Sequence, residues 1–178
     1  SMPEIAEGLT ISVNLTAQEV HGERLVPVVT DILRRTGLPA DRLVLEVTES
    51  NLLSDTDVIQ ERMERLRALG TRLAIDDFGT GYSSLGYIQR FAFDVLKIDR
   101  SFVEGLDRQT NRQIVTAVLD LARELGVRVV AEGIEEEHQE RALRELGCTY
   151  AQGYRYSRPV PEAQFRKLLV AQSIPVGS

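Results

Sequence analysis

Two adjacent carboxylates, Asp76 and Asp77, end an apolar segment and lead directly into a polar loop that contains glycine. Carboxylate oxygens are hard ligands, and an acidic pair at the end of a strand suits Mg2+ or Mn2+. Adjacent Asp residues also occur in ordinary solvated turns, so the pair alone does not identify a metal site. The other apolar segments of the chain decide between the two interpretations.

Four further apolar segments end in the same way, each with a metal ligand or a charge near its C-terminal end. Side chains alternate between the two faces of a strand, so these polar residues fall on the face opposite the branched apolar ones. Asp77 has the wrong parity for that face, and we expect the turn through Gly79 and Gly81 to bring it round. The residues that share the polar face are Asn14, Glu46, Asp76, Lys97 and Glu132.

Amphipathic segments with helical spacing lie between the apolar segments, and several of them stop at a glycine. This alternation is typical of repeated βα units around a parallel sheet. A barrel brings every strand end to one mouth, which explains the shared polar face better than an open sheet does. We count six units, whereas eight take about 250 residues, and therefore predict an α/β, TIM-barrel-like (β/α)8 fold that is incomplete. Strands are predicted to begin near residues 11, 43, 72, 94, 127 and 149, and helices to cover 23–36, 56–69, 83–90, 111–125, 136–146 and 161–170.

The composition is that of a soluble globular domain. The chain has 178 residues, of which 43% are hydrophobic and 27% charged, and no apolar run approaches the roughly 20 residues that span a membrane. A net charge of -6 argues against long nucleic acids as partners, because these require clustered Lys and Arg. A small phosphorylated ligand stays compatible, since bound cations can supply positive charge. The single cysteine, Cys148, excludes an internal disulfide and suits a reducing cytoplasm.

Six ordered blocks of this sequence carry a family signature. They are Val13-Asn14-Leu15-Thr16, Leu45-Glu46-Val47-Thr48-Glu49-Ser50, Ile75-Asp76-Asp77-Phe78-Gly79-Thr80-Gly81-Tyr82-Ser83-Ser84-Leu85, Leu96-Lys97-Ile98-Asp99-Arg100-Ser101-Phe102-Val103, Ala131-Glu132-Gly133-Ile134-Glu135 and Gln152-Gly153-Tyr154. In this order they resemble the EAL family of bacterial cyclic-di-GMP phosphodiesterases. The Asp-Asp-Phe-Gly block with Lys-Ile-Asp after it is highly specific, and the resemblance extends over essentially residues 9 to 170.

The resemblance implies a barrel whose mouth binds two divalent cations, Mg2+ or Mn2+. There the family hydrolyses one phosphodiester of cyclic-di-GMP to give linear pGpG, in the bacterial cytoplasm. Carried over by position, Asn14, Glu46 and Asp76 bind one metal. Asp77 and Glu132 help to hold the second metal or its water.

The same resemblance implies which residues are catalytic and which are supporting. Lys97 orients the attacking water and neutralises developing charge, and it acts with Glu132 and Asp77 as the catalytic set. Gln152 lies close to the substrate, as does Asn14. Glu49 holds the loop from residue 78 to residue 84, which in the family takes part in metal binding and dimerisation. Glu135 and Asp99 are assigned a supporting role.

The sequence departs from the family in one respect. The triplet Glu-Ala-Leu occurs nowhere in it, and that triplet belongs to a strand before the Asn14 block. We therefore expect residues 1–8 to be an expression remnant and lead-in, residues 9–172 an EAL-like domain lacking its N-terminal part, and residues 173–178 a tail. Unpaired sheet edges favour a homodimer, and a sensor or cyclase domain upstream in the native protein fits the family.

Two other functions remain open on the sequence. The first is a cyclic-di-GMP receptor or protein-interaction module that has kept the fold and lost hydrolysis. The near-complete set of acidic ligands argues against it, because a pure binder has less use for them. The second is a metal-dependent barrel lyase or isomerase for a small phosphorylated metabolite, which leaves the ordered blocks unexplained. For the phosphodiesterase itself, the Glu-Ala-Leu glutamate is missing from these residues, so we expect a weakened metal site and little or no turnover by this chain alone.

Overall fold

A single parallel sheet organises the computed structural model, which describes residues 9–52, 56–79 and 90–170. Its six strands lie in the order of the sequence, and each pairs in parallel with the next. This sequential order is that of a barrel wall, so the predicted TIM-barrel-like fold with six units is confirmed. The strands are β1 (Ile11–Asn14), β2 (Leu43–Thr48), β3 (Arg72–Phe78), β4 (Val95–Ile98), β5 (Arg128–Ala131) and β6 (Tyr150–Ala151).

Helices cover one face of the sheet and follow the predicted segments closely. Across the described ranges, no helix is both long enough and apolar enough to cross a bilayer. The helix predicted at 83–90 falls almost wholly outside the described residues. The helices are α1 (Ala17–His21), α2 (Leu25–Thr36), α3 (Thr56–Ala68), α4 (Arg100–Glu104), α5 (Gln109–Leu125), α6 (Glu137–Glu145) and α7 (Glu162–Val170), with short 3-10 turns at Ala40–Arg42 and Glu49–Leu52.

Two short helices, α1 and α4, were not predicted, although both have local start signals. The Thr16 hydroxyl accepts a hydrogen bond from the Glu19 backbone N–H, and the Glu19 carboxylate accepts one from the Thr16 backbone N–H. This reciprocal pair is a capping box. Asp99 caps α4 by accepting from the Ser101 backbone N–H at 2.9 Å. Five residues are too few to show a helical period, so the caps were their only signal.

The two faces of the sheet differ in what they bury. On the outer face, apolar side chains of β2 to β5 pack beneath the helices, where Ile59 and Leu66 of α3 are completely buried. Full burial of one such side chain stabilises the fold by about 1.5–3 kcal/mol. The inner face holds a smaller apolar cluster of Val44, Ala74 and Val95. This inner cluster separates the polar side chains at the two ends of the strands.

The expectation for the outer face of β1 is wrong at two positions. Parity placed Ile11, Val13 and Leu15 together on the face that packs against helices. Leu15 is buried, but Ile11 remains 50% exposed and Val13 42% exposed. Parity alone therefore did not predict whether this end of the outer face is covered.

Candidate metal and catalytic centre

The C-terminal ends of the strands, which we call the mouth, gather the predicted polar residues. Glu46 comes from β2, Asp76 from β3 and Lys97 from β4, each on the inner face. Glu132 follows β5 directly, where its backbone N–H donates to the Ile98 carbonyl at 3.1 Å. Together with Asp77, these residues form what we call the mouth cluster.

Lys97 lies at the centre of the mouth cluster. Its ammonium nitrogen is 2.5 Å from Glu46 Oε2, 2.6 Å from Glu132 Oε1 and 3.1 Å from Asp76 Oδ1. Lys97 is only 5% exposed and Glu46 only 6%, so these charges are largely removed from water. Such burial is tolerated because each charge has a partner of the opposite sign.

The pKa of Lys97 reflects two opposing influences. Desolvation favours the neutral amine and lowers the pKa, but hydrogen bonds to Glu132 and Glu46 and their negative charges favour the cation. The net pKa lies well above the ordinary value for lysine. Lys97 is therefore a permanent cation in this arrangement, suited to neutralising negative charge and unsuited to accepting a proton.

Three carboxylates of the mouth cluster form a potential metal site. One oxygen each from Asp76, Asp77 and Glu132 lies within 4.8 Å of the other two. Oxygen ligands at this spacing fit the coordination sphere of a hard divalent cation such as Mg2+ or Mn2+. Within the described ranges, these three form the one group of acidic, His or Cys residues with this geometry.

Asp77 joins the group through its own backbone conformation. Its φ is 54°, in the left-handed region that non-glycine residues seldom adopt, and the β3–β4 register shifts between Ile75 and Phe78. The bulge turns Asp77 toward the inner face, against strand parity. The expectation that Asp77 is brought round is met, but the turn starts at Asp77 itself. Of the two glycines named for the turn, Gly79 has a φ of 96°, and Gly81 lies outside the described residues.

Asp77 and Glu132 both have raised pKa values. Desolvation is the largest cause for Asp77, followed by the charges of Asp76 and Asp99. Desolvation also leads for Glu132, where Lys97 opposes it and the charges of Asp76 and Glu46 add to it. Crowded carboxylates disfavour ionisation, so a divalent cation would relieve repulsion that Lys97 alone does not remove.

Gln152 and Asn14 flank the mouth cluster from the two edges of the sheet. The Gln152 amide donates from Nε2 to Glu132 Oε1 at 2.7 Å, which fixes that carboxylate from the β6 side. Asn14 pairs in register with Glu46 and is exposed. The structure therefore places both predicted substrate-binding residues beside predicted metal ligands.

The three supporting candidates lie around the mouth in different environments. Glu49 is buried in the 3-10 turn after β2; the loop that it was predicted to hold lies mostly outside the described residues. Asp99 contacts Asp77 and contributes to the raised pKa of that carboxyl. Glu135 is exposed and forms an ion pair of 3.1 Å with Arg100.

Two residues at the mouth were missed by sequence reasoning, Arg100 and Gln139. Arg100 pairs with Glu104 within α4 and with Glu135 in the loop after β5, and no sequence period predicts the second contact. The buried Gln139 accepts hydrogen bonds from the backbone N–H groups of Glu135 and Glu136, at 2.9 and 3.0 Å. The Glu136 and Gln139 spacing of a capping box is the signal that could have found it.

A cavity of about 520 Å3 opens beside the mouth cluster. Glu132 and Gln152 form the wall nearest the cluster, and Tyr154, Arg158 and Phe165 contribute the aromatic and basic side. The Arg158 guanidinium lies 4.4 Å from the Tyr154 ring centre, a cation-π contact. A volume of this size suits a small organic ligand.

The family model of the EAL domain matches residues 2–159. The chain belongs to the EAL domain family. The cyclic di-GMP phosphodiesterase NbdA of Pseudomonas aeruginosa is 44% identical over 166 residues, which are 93% of this chain and 21% of NbdA. The chain spans 19% to 24% of the length of four other curated relatives that it matches.

Solved structures of EAL domains share the fold. The EAL domain of Mycobacterium smegmatis DcpA has a TM-score of 0.91 and 34% identity, with 98% of this chain and 78% of that one covered. A manganese and cyclic-di-GMP complex of Klebsiella pneumoniae BlrP1 has a TM-score of 0.81 and 33% identity, with 88% of this chain and 41% of that one covered. The recognition made from the six sequence blocks is thereby confirmed.

Proposed function

We propose that this EAL domain acts on cyclic-di-GMP as a metal-dependent phosphodiesterase and releases linear pGpG. The observation that carries the proposal is the mouth cluster, in which three carboxylates lie within 4.8 Å of one another beside a buried lysine cation. Hydrolysis of a phosphodiester requires positive charge near the phosphate and a positioned water. The cluster offers groups for both tasks.

We propose that the donor set holds two divalent cations, Mg2+ or Mn2+. We assign Asn14, Glu46 and Asp76 to one cation, and Asp77 and Glu132 to the second. Bound there, the cations would supply the charge that activates a water and stabilises the phosphodiester in the transition state. All five side chains offer oxygen atoms, which these ions prefer.

The chain's own residues prepare the site for this chemistry. Lys97 is a fixed cation and would neutralise charge that develops on the phosphate oxygens. Gln152 holds Glu132 by donating to it, and it also lines the cavity beside the mouth cluster. Asp99 caps α4 and restrains Asp77, while Glu49 and Glu135 support the surrounding loops. The cavity beside Glu132 would receive part of the dinucleotide.

The test is an assay of cyclic-di-GMP with the purified chain and Mn2+ or Mg2+, in which pGpG is separated by chromatography. A matched control is Asp76→Asn, which keeps the size of the side chain and removes its charge. The proposal is supported if the original chain hydrolyses cyclic-di-GMP and the Asp76→Asn variant does not. If neither protein binds Mn2+ or the dinucleotide, the proposal is wrong.

The alternative is a receptor that binds cyclic-di-GMP without hydrolysing it, and the near-complete set of acidic ligands argues against it. The same assay separates the two functions when binding is measured by calorimetry in parallel. Binding without pGpG, in the presence of saturating Mn2+, favours the receptor. Turnover that appears only when the chain is extended with a segment carrying the triplet assigns hydrolysis to the longer protein.

We also propose that the domain forms a homodimer. The support is the apolar surface of β1, where Ile11 and Val13 are half exposed, because exposed apolar patches mark association sites. Light scattering over a wide concentration range tests this, and a monomer throughout would exclude it.

A further inference from the structure

Arg100 links α4 to the loop after β5. It is the first residue of α4, where its Nη2 is 3.1 Å from Glu135 Oε1 and its Nε donates to Glu104. Glu135 belongs to the loop after β5. The ion pair therefore joins the segment that follows β4, the strand of Lys97, to the loop that begins at Glu132.

The aliphatic part of Arg100 also packs on the backbone next to Glu132. Gly133 has a φ of 71°, and a Cβ atom built there would lie 2.4 Å from Arg100 Cγ. This distance is far below van der Waals contact, so the stem of Arg100 fills the space that a side chain would take. The residue thus touches the turn immediately after a predicted metal ligand.

The charges around Arg100 argue for positioning over substrate binding. Its guanidinium faces two carboxylates, Glu104 and Glu135, so its positive charge is already matched. An anionic phosphodiester would have to compete with both of them. The side chain is half exposed, and exposed ion pairs contribute little to overall stability. Its effect should therefore be local, on the placement of the loop after β5.

We propose that Arg100 is a positioning residue of the metal and catalytic centre. By holding Glu135 and the turn at Gly133, it keeps Glu132 beside Lys97 and within reach of Asp76 and Asp77. The inference rests on the proposed metal site. Partners one step removed from a metal ligand often change metal affinity by about 10–100-fold.

The first experiment titrates Mn2+ into the purified chain by calorimetry, without dinucleotide. We expect Arg100→Ala and Arg100→Met to bind Mn2+ about tenfold more weakly, because both lose the ion pair with Glu135. Arg100→Lys keeps the charge and should recover part of the affinity. The control is Arg141→Ala, which removes an exposed i,i+4 pair with Glu137 inside α6 and should bind Mn2+ as the original chain does.

The second experiment is a double-mutant cycle with Glu135→Gln, again with Mn2+ affinity as the readout. If Arg100 acts through Glu135, the double variant should bind no more weakly than the weaker single variant. Fully additive losses would show independent effects and overturn the inference. Melting temperatures measured without metal should stay within a few degrees across the series, which separates positioning from unfolding.

The outcomes distinguish this inference from the proposed function. No Mn2+ binding by the original chain overturns both. Normal Mn2+ affinity in Arg100→Ala and Arg100→Met, while the original chain binds, overturns the positioning role alone. Normal Mn2+ affinity with a loss of cyclic-di-GMP affinity would make Arg100 a substrate contact and would equally overturn it.

Discussion

The inner face of the sheet carries charges of opposite sign at its two ends. At the mouth, Glu46 and Lys97 are almost fully buried and linked at 2.5 Å. At the other end, Arg72 is partly exposed, and Arg128 is exposed with its guanidinium 4.8 Å from the Tyr150 ring centre. Arginine with access to water needs no ion-pair partner, whereas a buried charge does. The two ends therefore differ mainly in the burial of their charged side chains, and the buried charges lie at the mouth.

The apolar cluster of Val44, Ala74 and Val95 lies between the two ends. It keeps the acidic and basic groups apart, and in the part of the chain that the structure describes Lys97 is the inner-face cation that pairs with the carboxylates of the mouth. That leaves an excess of negative charge for divalent cations to neutralise. The basic end offers no comparable arrangement of metal ligands within the described residues.

Removing one carboxylate from the mouth should have the largest effect. Asp76→Asn replaces a charged oxygen ligand with a neutral amide of the same size. We expect Mn2+ affinity to fall by about 100-fold or more, since ligands matter at least as much as their outer partners. Calorimetric titration measures this. Retained tight Mn2+ binding would show that the metal, if any, lies elsewhere.

Lys97→Met tests the cation on which the mouth cluster depends. Without it, three carboxylates are left close together and partly buried. Breaking a buried ion pair lowers the free energy of unfolding by about 3 kcal/mol. We expect a lower melting temperature at neutral pH without metal, and partial recovery with Mn2+. The recovery should also appear as pH falls, because protonation removes the repulsion. A melting temperature independent of pH and of Mn2+ would contradict this.

The raised pKa values of Asp77 and Glu132 predict how Mn2+ binding depends on pH. Cations bind the ionised carboxylates, so protons compete, and affinity should fall as pH decreases toward pKa values that lie above the ordinary 3.8 and 4.5. The decline should therefore begin at a higher pH than ordinary carboxylates would give. For each proton that the metal displaces, the apparent Mn2+ affinity changes by up to about tenfold per pH unit.

Glu132→Gln provides the matched comparison for this pH dependence. The variant removes one titrating group and should show a shallower decline of its weaker Mn2+ affinity. The measurement is a calorimetric series between neutral and mildly acidic pH. An identical slope in the variant and the original chain would show that Glu132 does not exchange its proton for the metal.

Sequence periodicity was sufficient to predict the strands and most residues of the mouth cluster. Period-two alternation put Glu46, Asp76 and Lys97 on one face because regular strands leave no other choice. It could not give the inward turn of Asp77, which depends on a φ of 54° and a bulge. It also could not give the exposure of Ile11, because parity predicts the face on which a side chain lies and not whether that face is covered.

The link between Arg100 and Glu135 lay beyond sequence reasoning for a different reason. The two residues are distant along the chain and meet only because β4 and β5 are neighbours. Ordered motif blocks fix the residue types at the mouth, but contacts between loops depend on the three-dimensional path of each loop. The pairings at the rim are therefore where the structure adds most to the sequence.

Arg128→Ala should have the smallest effect, and it tests the separation of the two ends. Arg128 lies on a rung of the sheet that runs through Val95 and Ala74 to Glu46, so a route for coupling exists. The side chains between them are small and apolar, and only a cation-π contact worth about 0.5–1 kcal/mol is lost at an exposed site. We expect a slightly lower melting temperature and unchanged Mn2+ affinity. A Mn2+ affinity reduced by as much as in the Arg100 variants would show that charge at the basic end acts on the mouth, because the apolar cluster between them does not isolate it.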